Sequence, residues 1–130
     1  MKVCGIELKA NNAILSVVEN NEFKNLKLKK ITLEDDEKQE CVKEFFLKIE
    51  EFLNQNCIEK IVLKKRAKKG NFAGGAVTFK MEGVIQLNSI CSTHLVSAQT
   101  LSAFEKKNEI TFPSELKKYQ EQSYLCALNA

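Results

Sequence analysis

Apolar residues crowd the first third of the chain at strand-like spacing. Val3, Cys4, Ile6 and Leu8 mark a strand over 2–8, and Ala13 to Val18 form a second β-rich run. Asn11-Asn12 and Asn20-Asn21 fall where tight turns are needed, and asparagine tolerates the left-handed backbone such turns use. Leu26, Leu28, Ile31 and Leu33, with lysines between them, predict a third strand. Three strands joined by short turns make an antiparallel meander.

The period then lengthens. Val42, Phe45, Phe46, Ile49, Phe52 and Leu53 recur at helical spacing, behind acids at Glu34–Glu37 that suit a helix start. Asp35 or Asp36 is the expected N-cap. Ile58–Leu63 is a continuous apolar run, as a centrally placed strand requires. Residues 72–87 fit either period. Three glycines there weaken a helix by roughly 1 kcal/mol each, but a strand on either side asks for a crossover, so the reading is a helix. His94–Val96 is a short strand, and Ser97 caps a short helix over 98–107. Pro113 opens a last helix through Leu116, Tyr119, Cys126 and Ala127. The order predicts a single α/β domain over residues 1–130: a mixed five-stranded sheet, the first strand central, with helices on its faces.

Composition changes the picture at one place. The 130 residues carry 44% hydrophobic and 28% charged side chains, ordinary globular usage. Net charge is +3, from 20 Lys and Arg against 17 Asp and Glu. Residues 64–69, KKRAKK, hold five of those cations and no acid, so the rest of the chain has 15 against 17, or −2. The positive charge is a patch on a slightly acidic body, which points to one anionic contact rather than a fully basic surface. Three glycines follow within 70–75, and glycine lets backbone approach a phosphate closely. Lys64, Lys65, Arg66, Lys68, Lys69, Gly70, Gly74 and Gly75 are therefore the candidate nucleic-acid contacts. The bland alternative is a solvated turn.

The five cysteines, an odd number with no Cys-x-x-Cys pair, argue against a disulfide framework or a zinc site. The N-terminus lacks a signal-peptide pattern, and no apolar run approaches membrane-spanning length. A cytoplasmic location without membrane partners is expected. His94, the sole histidine, has no acid or nucleophile signature beside it and reads as structural, as do Cys91 and Ser97. Phe72 and Phe79 are expected to pack in the core rather than stack on bases.

The element order is that of the RNase H-like fold. VCGIELKANNAIL resembles the first hairpin of crossover-junction endonucleases of the RuvC type, where a strand ends in Gly-Ile-Asp; the triplet here is Gly5-Ile6-Glu7. IEKIVLKK resembles that family's fourth strand, the segment through Gly83-Val84-Ile85 its following helix, and SYLCALNA the end of its final helix. The whole chain also resembles a small bacterial family of RNase H-like proteins of unknown function. The resemblance implies a carboxylate cluster holding two divalent cations, Mg or Mn. Carried onto this sequence, the first acid falls on Glu7, the second near Lys64, and the final-helix acids near Gln120 and Ser123. A lysine at the second position puts positive charge where metal chemistry needs negative charge, so Glu7 and Lys64 are expected to pair as neighbours on parallel strands. The expectation is a non-hydrolytic nucleic-acid-binding module, with no cofactor, working through the 64–69 loop. One alternative is a divergent metal-dependent nuclease centred on Glu7, the single candidate for both catalysis and metal binding. The other is a protein-interaction or regulatory module.

Overall fold

The computed structural model of the chain describes residues 1–69 and 75–130. Gly70, Phe72 and Gly74, singled out above, lie outside the described residues. β1 (Lys2–Lys9) and β2 (Asn12–Glu19) form the first hairpin, and a two-residue turn leads into β3 (Glu22–Lys24). Asn20 and Asn21 hold that second turn at φ 51° and 68°, left-handed values that match a two-residue turn to the twist of its strands. In the first turn the left-handed residue is Ala10, at φ 53°, not an asparagine.

The third strand departs from the reading. The immediate turn makes β3 begin at Glu22, and the chain then leaves the ladder before returning as β4 (Lys30–Thr32). β3 pairs with residues 17–19 of β2 and β4 with residues 12–14, so one strand's work is split in two and the sheet has six strands, not five. Leu26 and Leu28 lie outside both pieces. The three residues of β3 are too few to show alternation, and Phe23 is held instead by the edge of Tyr124, ring centroids 5.8 Å apart.

α1 (Gln39–Gln55) follows. It starts later than its acids suggest, with Lys38 at the N-cap. Asp35 accepts from the Glu37 N–H at 3.0 Å and closes a local turn, which competes with helix capping. β5 (Lys60–Lys64), α2 (Ala76–Gln86) and β6 (Ser92–Val96) make the expected parallel crossover. α3 (Ala98–Asn108) has its expected cap, with the Thr100 N–H donating to Ser97 Oγ at 3.1 Å. Pro113 does not open a helix. Its carbonyl closes a turn with the Leu116 N–H, a single 3-10 turn spans Lys118–Gln120, and α4 (Glu121–Leu128) begins after it.

The sheet order β3-β2-β1-β5-β6 puts β1 at the centre, flanked by β2 and β5 as expected. Alternation along β1 then sorts two cores. Cys4, Ile6 and Leu8 face α1 and α2 with Phe45, Ile49, Phe52, Met81 and Ile85. Val3 faces the other layer with Val62, Leu101, Leu125 and Ala127. Gly5 shares that second face, and α4 lies directly on it. A Cβ at Gly5 would stand 1.8 Å from Ser123 O and 2.6 Å from Ala127 N, so only glycine admits the helix.

Candidate nucleic-acid interface

Glu7 follows Val3 and Gly5 on the α4 face, at the carboxyl end of the central strand. Parallel pairing sets Glu7 opposite Lys64, the last residue of β5. The expected pair forms: Lys64 Nζ lies 3.9 Å from Glu7 Oε2, with side chains 17% and 13% exposed. Lys64 also donates to Gln122 Oε1 of α4 at 2.9 Å. The ammonium is therefore bound by one carboxylate and one amide under the start of the helix.

Sequence reasoning missed Gln122. It placed the final-helix positions near Gln120 and Ser123, and the structure turns both toward β2 instead. Gln120 Nε2 donates to Leu15 O at 2.9 Å, and its Oε1 accepts from the Lys117 N–H at 3.0 Å. Ser123 Oγ sits 2.6 Å from Ser16 Oγ and donates to Gln120 O. Gln120, Ser123 and Ser16 are buried, so every polar group there needs a partner, and each has one. These residues bolt the last helix to the sheet. A buried serine in β2, Ser16, was the available signal that a polar partner would cover it.

The donor set does not fit the metal pair that the resemblance implies. Glu7 is one carboxylate, and its nearest charged neighbour is an ammonium. Among the described residues no three of His, Cys, Asp and Glu gather as ligands. A lone carboxylate already facing a cation is a poor seat for a divalent ion, which needs further oxygens. Cys126, on α4 behind the pair, is no substitute. Burial pushes its thiol up to about 12, with Lys64 lowering and Glu7 raising it, so the soft thiolate ligand is not available near neutral pH.

The basic segment leaves this centre at the strand end. The Lys65 N–H donates to Val96 O at 2.9 Å, which extends the β5–β6 ladder one residue beyond the strand. Lys65, Lys68 and Lys69 are exposed and Arg66 is half-buried. Arg66 Nε is buried and has no hydrogen-bond partner among the described residues. Gly75 is the N-cap of α2, at an ordinary extended φ of −74°. A Cβ there meets nothing within 4 Å, so neither conformation nor packing demands glycine at that position. His94 is exposed on β6, with Nε2 3.3 Å from Ser92 Oγ, and touches none of the above. A groove of about 580 Å³ between β4 and α1, floored by Leu26, Ile31 and Phe52, opens on the opposite core and takes no part in this centre. No described helix is long and apolar enough to cross a membrane.

Two solved structures of Thermus thermophilus RuvC share this architecture. One, in complex with Holliday junction substrate, matches at a TM-score of 0.68 and 14% identity, over 98% of this chain and 90% of that one. The other matches at 0.66 and 15% identity, over 98% and 92%. At such identity the likeness is one of fold, and it agrees with the RuvC-type reading of the first hairpin. No curated protein matches the chain. The family model described as protein of unknown function (DUF3010) matches residues 1–130, and the chain belongs to the DUF3010 family.

Proposed function

We propose that this protein is a non-hydrolytic nucleic-acid-binding module on a RuvC-like fold, which contacts the phosphate backbone through Lys64–Lys69. The observation that carries the reading is the Lys64 ammonium, held between Glu7 at 3.9 Å and Gln122 at 2.9 Å. It fills with fixed positive charge the position where hydrolysis by two metals needs a second carboxylate. The exposed cations of 65–69 continue that charge outward from the carboxyl end of a parallel strand, the usual ligand side of such sheets. The RuvC structure of the same fold carries a Holliday junction substrate, which supports nucleic acid as the anion. Specificity is low, because phosphate contacts carry no sequence information.

The test is a salt titration of binding to DNA and RNA, with a magnesium and manganese cleavage assay alongside. Replacing Lys65, Arg66, Lys68 and Lys69 together with alanine weakens binding. It also flattens the slope of log K against log salt by about 0.7–0.9 for each phosphate that is no longer neutralised. The wild type cleaves no junction, duplex, hybrid or single strand. An unchanged slope refutes the binding loop. Cleavage that vanishes in Glu7→Ala but persists in Lys65→Ala refutes the non-hydrolytic reading and favours the nuclease.

A further inference from the structure

The sheet register runs a row of side chains across the α4 face: Lys30 on β4, Ile14 on β2, Glu7 on β1, Lys64 on β5 and Val96 on β6. Residues opposite one another in register share a face. Lys30 and Lys64 thus stand on one side of the sheet, three strand gaps or about 14 Å apart, with the neutralised Glu7 between them. At the Lys30 end the row meets an aromatic ring. Lys30 Nζ lies 5.2 Å from the centroid of Tyr119, a distance at which an ammonium is drawn to a ring face.

Tyr119 is an unusual residue to leave out. It is 41% exposed, while the other tyrosine, Tyr124, is buried against Phe23 and Phe112. It is also held firmly, because the next residue, Gln120, spends both amide atoms on backbone partners in β2 and at Lys117. Lys117 and Lys118 stand on the same turn and Lys30 on β4 lies over its ring, all exposed. None of these three forms an ion pair among the described residues. Glu115 and Glu121 flank the turn in sequence and leave the local balance positive.

A rigid, exposed aromatic ring among unpaired lysines is the arrangement that receives an unpaired base: the ring stacks on the base and the lysines take the phosphates either side of it. A duplex keeps its bases stacked inside and has no face to offer. Building on the phosphate-binding reading above, we infer that Tyr119, with Lys30 and Lys118, is a stacking platform for a base of single-stranded nucleic acid. The strand runs across the carboxyl end of the sheet from this platform to the Lys64–Lys69 segment. The two ends have separate tasks. The basic segment binds any phosphate backbone, and Tyr119 selects for a strand with free bases.

The test compares a labelled single-stranded 20-mer with its blunt duplex by fluorescence anisotropy at low salt. Tyr119→Ala weakens single-strand binding by about 5- to 150-fold, the usual loss for one stacked base, and leaves duplex binding within about twofold. Tyr119→Phe retains single-strand binding, since the ring and not the hydroxyl is needed. Single-strand binding also quenches tyrosine emission, which is readable because the chain has 2 Tyr and no Trp. That quenching disappears in Tyr119→Ala. Equal loss on both ligands, or loss on neither, overturns the platform while leaving the basic segment standing. If instead the four-alanine variant of 65–69 binds both ligands as the wild type does, the backbone reading fails and the platform is judged on Tyr119 alone. A wild type that binds neither ligand overturns both.

Discussion

Lys64→Glu tests the centre most directly. In the wild type, opposite unit charges about 4 Å apart attract by roughly 4 kcal/mol at an effective dielectric of about 20. Desolvation offsets much of that. The substitution turns attraction into repulsion between two carboxylates that are each mostly buried, and it removes the donor that Gln122 Oε1 accepts from. Rotation toward solvent and partial protonation relieve part of the strain. The expected net loss is then about 3 kcal/mol, at the low end of what breaking a buried pair costs. For a chain of 130 residues that lowers the Tm by about 12 °C.

Manganese reverses the sign of the argument. Glu7, Glu at 64 and Gln122 Oε1 present three oxygen-bearing groups where the wild type presents an ammonium. A ligand at 100 times its Kd stabilises the folded state by about 2.7 kcal/mol, so millimolar manganese recovers about 10 °C in Lys64→Glu. It recovers nothing in the wild type or in Lys64→Gln, which has no second carboxylate. The assay is a thermal melt by circular dichroism with and without manganese. A wild-type Tm that rises with manganese as far as the variant's refutes the claim that Lys64 excludes a cation. A Lys64→Glu protein that melts with the wild type refutes the pairing itself.

Two glycines make opposite predictions. Gly5→Ala drives a methyl into Ser123 O and Ala127 N, backbone atoms that cannot step aside, and costs about 3 kcal/mol or more, seen as a Tm drop of at least about 12 °C. Gly83→Ala, in α2 with nothing within 4 Å of the new Cβ, gains up to about 1 kcal/mol of helix propensity and raises the Tm by a few degrees. Burial raises the thiols of Cys4 and Cys126, the latter to about 12 from an ordinary 9.0. Below 9 they are protonated in folded and unfolded chains alike, and their contribution to stability is whole. Above 9 only the unfolded chain loses protons, so the unfolding free energy from urea titrations falls as pH rises, by about 1.4 kcal/mol per unit and thiol. In the native protein at pH 8, exposed Cys57 reacts with a thiol reagent while Cys4 and Cys126 react only on unfolding.

Local chemistry was legible in the sequence wherever one element decided it. The strand period of residues 2–8, the helical period of Val42 to Leu53, the asparagine pair at 20–21 and the Ser97 cap act over a few residues, and all appear as read. The pairing of Glu7 with Lys64 was legible too, because the RuvC-type element order makes their strands parallel neighbours and the residue positions then fix the register. What the tertiary structure decided is wherever two distant segments compete for one place. Leu26 and Leu28 alternate with lysines like a strand, yet they fall outside the ladder between β3 and β4. Pro113 suits a helix start, but its carbonyl closes a turn and the last helix waits until Gln120 can bond Leu15 of β2. That same docking, through Gly5 and Ser123, points Gln122 rather than Gln120 at Lys64 and sets Tyr119 beside Lys30. Such contacts join residues from 58 to 105 or more positions apart, and no local period or propensity encodes them: they follow from which groups remain unpaired once the sheet has formed.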